Sequence, residues 1–210
     1  MRHSRKVSEA FALPRKCNVI QTAVKPIFIH DTRDKQPYVY AGYENLRQKM
    51  NLGDIGILGH ELDLPVFDRK HFVDFAGCIT SHKSGRWARL LERKKDTGAK
   101  LGLILEFAED RVPLECAILQ RKHGARVTPA HIFGNVKSLR EKHGIPVHFA
   151  GSWAKGKALA LELLLEAWTQ VVSEMLRSER ASLSINMSAC GATEMAGADG
   201  ARPAASSKTR

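Results

Sequence analysis

No apolar run of the roughly 18 residues that a bilayer-crossing helix needs occurs in this chain of 210 residues. The expected structure therefore has no membrane-spanning helix, and no membrane is expected as a partner. Cysteine is scarce: Cys17, Cys78, Cys116 and Cys190 are scattered, with no CxxC and no Cys/His spacing. Neither a disulfide framework nor a zinc knuckle is expected from that pattern. The histidines include no HExxH pair that would read as a metal site. The opening MRHSRKVSEAFALPRK is basic but lacks the unbroken apolar core of a secretory signal. Together these absences predict a soluble, intracellular protein with reduced thiols, in a bacterial or phage-infected cytoplasm or in a nucleus. Acidic residues are few as well, 22 against 33 Lys and Arg, for a formal net charge of +11 and a pI near 9.7. A field of that sign favours polyanions through counterion release, with nucleic acid ahead of acidic lipid headgroups. Ribosomal, chaperone and membrane-surface proteins are also basic, so charge alone names no partner.

What is present suffices for one core, with 43% hydrophobic residues. The expected organisation is a basic flexible arm over residues 1–23, a single domain over 24–181, and a disordered tail over 182–210, where composition collapses to Ala, Gly, Ser and Met. Within the domain, Lys25 to His30 reads as a first strand, and Tyr43 to Met50 has one turn's worth of helical spacing. Two extended pieces, at about 52–58 and 63–70, flank Gly59 and His60 and read as an antiparallel hairpin. Phe72, Phe75, Ile79, Trp87, Leu90 and Leu91 predict helix from about 71 to 95, broken near Ser84 and Gly85. A buried strand at 101–106, helices at 113–123 and 130–143, a strand at 145–150 and a long helix at 155–180 follow. Strand and helix alternate, so the expected class is α/β with three α/β/α layers.

The hairpin carries the chemistry. Residues two apart on a strand share a face, so Asp68 and Lys70 point one way while Phe67 and Arg69 point the other. If the preceding strand pairs with this one, Asp54 approaches the face of Asp68. Hard carboxylate oxygens bind Mg²⁺, which polarises a phosphate and acidifies a bound water, and a lysine can hold that water. Gly53 beside Asp54 permits close approach of backbone or substrate. The blander alternative stays open at this point, because Asp-Arg-Lys on a strand is usually a solvated charge cluster and Gly-Asp a common turn dipeptide.

Further residues enlarge the pattern. Asp31-Thr-Arg-Asp34 and Gln36-Pro-Tyr38, then Gly53-Asp54, then Asp68-Arg-Lys70 with Asp74, then Ile79 to Arg86, and a strand ending in Glu106, stand in that order. This series resembles the XPF-type excision-repair nuclease domain, within the PD-(D/E)xK, restriction-endonuclease-like superfamily, over about residues 25 to 151. The chain departs from the family pattern in Asp34 for Glu, Ile55 for Tyr and Asp68 for Glu. Only the Ile55 change loses the polar group, and the shorter Asp68 draws its oxygens back by one methylene.

The resemblance implies a restriction-endonuclease-like domain with a mixed central sheet, acting as a metal-dependent DNA endonuclease. It implies Asp54 and Asp68 as ligands of Mg²⁺ or Mn²⁺, Lys70 orienting the nucleophilic water, and Asp31 and Asp74 assisting at the edge. Arg33, Arg69, Lys83 and Arg86 are the expected DNA contacts, on double-stranded or branched DNA, and the family's habit implies a homodimer. Simpler roles stand beside these: Asp31 as a turn cap, Arg33 paired with Asp34, Asp74 as an ordinary helix N-terminal acid, Lys83 and Arg86 as solvated charges, Glu106 as a surface residue. No Gly-centred hairpin pair of the kind family members append is evident in residues 155–210. Glu92-Arg-Lys94 is a decoy, since in a helix residues two apart diverge by about 200° and could not share a metal. Two other functions compete with cleavage. A non-catalytic DNA-binding scaffold of the same domain type is one, and a basic protein binding nucleic acid by charge alone, indifferent to metal and to Asp68, is the other.

Overall fold

The computed structural model describes residues 25–80 and 85–193. The expected arm falls outside the described residues. Strands β1 (Ile27–Asp31), β2 (Glu44–Gln48), β3 (Ile55–Ile57) and β4 (Val66–Lys70) precede helices α1 (Phe72–Thr80) and α2 (Gly85–Thr97). Strand β5 (Leu101–Leu105), helices α3 (Val112–His123) and α4 (Pro129–His143), strand β6 (Val147–Phe149) and helix α5 (Trp153–Thr193) complete the order.

The six strands form one sheet in the order β2-β1-β3-β4-β5-β6. It is mixed: β3 runs antiparallel to β1 and β4, whereas β1 pairs with β2, β4 with β5 and β5 with β6 in parallel. The parallel pairs need long crossovers: α1–α2 connect β4 to β5 and α3–α4 connect β5 to β6, whereas residues 32–43 connect β1 to β2 without a helix. Their apolar residues, among them Phe75, Leu90, Cys116, Ile132 and Val136, cover the sheet face that carries Ile29, Val66, Leu101, Leu103 and Leu105. Helix α5 covers the other face, setting Ala160 and Leu164 against Phe28, Ile55, Phe67 and Ile104. The central strand β5 is buried along its whole length, as a strand covered on both faces should be. The result is the expected three-layer α/β/α architecture. Among the described residues no helix is long and apolar enough to cross a membrane.

Two expectations fail in detail. Residues 44–48 are an edge strand, where a short helix was predicted. A single turn of apolar spacing is weak support for a helix, and β1 offers an open edge. Asn45 anchors the alternative: its amide donates to Tyr40 O (2.9 Å) and Tyr43 O (2.8 Å), and its Oδ1 accepts from Tyr40 N (2.9 Å). Helix α5 continues to Thr193, past residue 182 where the tail was expected to begin. Leu183, Met187, Ala189 and Ala192 are good helix formers, which keeps this Ser-containing stretch compatible with helical backbone. The rest of the expected tail lies outside the described residues.

Candidate active site

Alternation along β4 works as the sequence implied. Val66 joins the core beneath α1 and α2, which puts Asp68 and Lys70 on that face, while Phe67 packs on the α5 side. β3 pairs with β4 through Ile55 and Phe67. Just before β3, Asp54 N donates to Phe67 O (2.7 Å) and Asp54 Oδ2 accepts from Arg69 N (2.8 Å). Asp31 N donates to Asp54 O (2.9 Å), so β1 brings its own carboxylate to the same corner. Gly53 makes the approach possible. Its φ is +74°, and a Cβ there would lie 3.2 Å from Phe67 O, so an L side chain would be both strained and crowded.

The Asp54 carboxylate, held by Arg69 N, lies close enough to Asp68 and Lys70 to feel both charges. Burial first, and then the neighbouring Asp68 charge, push the Asp54 carboxyl well above the usual range, with Lys70 opposing the rise. Lys70 Nζ donates to Asp68 Oδ1, and also to Arg69 O at 3.3 Å. Burial pulls the Lys70 ammonium down, but Asp68 and Asp54 outweigh it and raise the group above its ordinary value. Two neighbouring carboxylates that crowd one lysine are short of positive charge, which suits a divalent cation at this point. Among the described residues no three His, Cys, Asp or Glu side chains converge on a metal position. Two carboxylates completed by water and phosphate oxygens is nonetheless an ordinary Mg²⁺ site.

The remaining expected residues divide. Asp31 is buried and tied to Arg33, whose Nε lies 3.0 Å from both carboxylate oxygens and whose Nη2 also donates to Met50 O (2.7 Å). Burial would raise the Asp31 carboxyl, but Arg33 overrides it and the net shift is downward. Arg33 thus pairs with Asp31 and not Asp34; its side chain is 58% exposed, and it feels the charges of Asp54 and Asp68. Asp74, in the first turn of α1, and Arg86 line one cleft with Asp68 and Lys70, a space of about 390 Å³. Lys83 lies outside the described residues. Glu92 is exposed on α2, away from any metal face, as the decoy reading requires.

Arg69 is a correction. It was expected to meet DNA, but its side chain is 8% exposed and donates to Asp34 Oδ1 (2.9 Å) and Glu106 Oε1 (3.0 Å). Its guanidinium also lies over the Tyr38 ring, 4.4 Å from the centroid. Glu106, which also accepts from the Tyr38 hydroxyl and faces His71 Nδ1 at 2.9 Å, is buried inside this network, not a surface carboxylate. Sequence reasoning also missed Arg89 and Arg93, which line the cleft with Arg86. The signal was available, since residues three and seven apart on a helix share a flank.

A mixed six-stranded sheet set between helical layers is a restriction-endonuclease-like α/β fold. Comparison with solved structures agrees. XPF from Aeropyrum pernix in complex with DNA matches with a TM-score of 0.52 and 20% identity, over 70% of this chain and 66% of that one. A second structure of XPF from Aeropyrum pernix matches with a TM-score of 0.51 and 21% identity, over 75% and 72%. In the first of these the chain spans a little under two thirds of its neighbour's length. Identities this low show a shared fold. No protein-family model matches the chain, and no curated protein is similar to it.

Proposed function

We propose that this chain is a divalent-metal-dependent endonuclease that hydrolyses phosphodiester bonds in DNA, with Mg²⁺ or Mn²⁺ as cofactor. The observation that carries the reading is the convergence of Asp54, pinned to β4 through Phe67 O and Arg69 N, with the Asp68–Lys70 pair that lines an arginine-rich cleft. On this reading Asp54 and Asp68 would hold the ion. Bound there, the ion supplies a Lewis acid that polarises the phosphate and lowers the pKa of a water. Lys70 Nζ orients the attacking water by donating to it. Asp31 fixes the Arg33 guanidinium, which contacts the scissile strand, and Asp74 assists from the rim. The DNA complex of XPF from Aeropyrum pernix supports DNA as the substrate class.

The test is cleavage of labelled linear, nicked, flapped and forked DNA in Mg²⁺, Mn²⁺ or EDTA, with Asp68→Ala and Lys70→Ala beside the parent. Cutting that needs metal and falls at least about 100-fold in both variants is expected, the usual scale for losing a proton-transfer group. Binding of every substrate without cutting would sink the catalytic reading and leave a non-catalytic DNA-binding scaffold.

A further inference from the structure

We propose that Arg86, Arg89 and Arg93 on α2 form a track that grips consecutive phosphates of one DNA strand leading into the Asp54–Asp68 site. The proposal rests on the DNA reading above and goes beyond it in naming the residues, the strand contact and its length.

Four observations carry it. All three arginines line the cleft that contains Asp68, Lys70 and Asp74. Their spacing puts them along a single flank of the helix, while Leu90 is buried in the core and Trp87 and Leu91 pack against it. Among the described residues, no carboxylate forms an ion pair with any of the three. Each side chain is also directed. Arg93 donates from Nε to Arg89 O (3.2 Å) and from Nη1 to Asn51 O (2.9 Å), which carries it across to the loop leading into Gly53 and Asp54. Arg89 folds back over Gly85, where a Cβ would sit 3.0 Å from its Nη1. Arg86 is close enough for its charge to bear on the buried Cys78 thiol at the cleft wall.

The dimensions fit a strand. At 1.5 Å of rise per residue, Arg86 and Arg93 stand about 10 Å apart along the axis. One DNA strand carries a phosphate about every 3.4 Å of duplex axis, so this span meets about three of them. The cleft lining sets Lys70 and the three arginines against Asp68 and Asp74, which leaves a positive balance.

The experiment measures binding of the full chain to a fluorescent duplex in EDTA, where cleavage cannot intervene, from 50 to 200 mM salt. Each lost phosphate contact lowers the slope of log K against log salt by about 0.9. Arg89→Gln should lower the slope by about one, and the Arg89→Gln/Arg93→Gln pair by nearly two. Across that salt range the pair should therefore lose about tenfold less affinity than the parent, equally for unrelated sequences. Lys157→Gln, on α5 across the sheet, should leave the slope unchanged. Because Arg93 also bonds to Asn51 O, circular dichroism melts accompany each variant, and Arg89→Gln alone is decisive if the pair unfolds. An unchanged slope in a folded Arg89→Gln variant, or an equal loss in Lys157→Gln, overturns the track. Metal-dependent cutting by the parent with an unchanged slope sinks the track but leaves the nuclease standing. Failure to cut with the expected slopes does the reverse.

Discussion

Arg69 donates to Asp34 on one side and to Glu106 on the other, at 2.9 and 3.0 Å, and so ties the end of β4 to the loop after β1 and to the residue that follows β5. Its neighbours Asp68 and Lys70 face the opposite side of the sheet. The side-chain clamp therefore holds the strand from the face opposite the site, while the Arg69 backbone N–H donates to Asp54 Oδ2.

Removing Arg69 leaves two buried carboxylates uncompensated, a loss that typically costs about 3–5 kcal/mol. Arg69→Ala should destabilise the protein on that scale in urea titrations. Arg69→Lys should recover little, because an ammonium reproduces neither the fork to two acids nor the stacking over Tyr38. Equal stability of the parent and Arg69→Ala would show that the clamp contributes nothing.

Acid should weaken the fold through His30 and His148. Burial lowers both imidazoles below their ordinary value, against a raising hydrogen bond from Asn45 at His30 and with a smaller push from Arg140 at His148. Above the ordinary histidine range, near pH 6.5, both are neutral in the folded and unfolded states. Below it the unfolded chain takes up protons that the fold resists, so stability falls with pH until the lowered folded values are reached. Denaturation midpoints between pH 8 and 5 should show this fall, and a His30→Gln/His148→Gln pair should flatten it.

Metal should stabilise the protein only through Asp54 and Asp68. A ligand at 100 times its Kd adds about 2.7 kcal/mol, or several degrees of Tm for a domain of this size. Mg²⁺ should raise the parent's Tm accordingly and leave Asp68→Asn unmoved. In EDTA, Asp54→Asn should melt higher than the parent by about 0.5–2 kcal/mol, the usual yield of relieving a charge conflict. A Mg²⁺ shift that survives in Asp68→Asn would place the ion elsewhere.

Gly53 holds Asp54 in place with φ at +74°. Gly53→Ala should cost about 1–2 kcal/mol from the left-handed backbone alone, with more from crowding against Phe67 O and Val66. A melt unchanged by that substitution would mean the loop rearranges freely.

The period of two along Val66 to Lys70 was enough to place Asp68 with Lys70 and to turn Arg69 away, since a strand leaves side chains no other choice. Apolar spacing likewise foretold α1 to α4 and the layering of helices on the sheet, because each helix must bury one stripe against it. Residues 44–48 were misread, as their conformation depends on the free edge of β1, which no pattern within the segment reveals, with Asn45 bonding back to Tyr40 to hold the turn. Arg69 shows the same division within one residue. Its side of the strand followed from the sequence, yet its partners come from distant parts of the chain, Asp34 after β1 and Glu106 after β5. Only the folded sheet could turn an expected DNA contact into a buried clamp, because pairing over such separations is decided by strand order and not by any pattern along the chain.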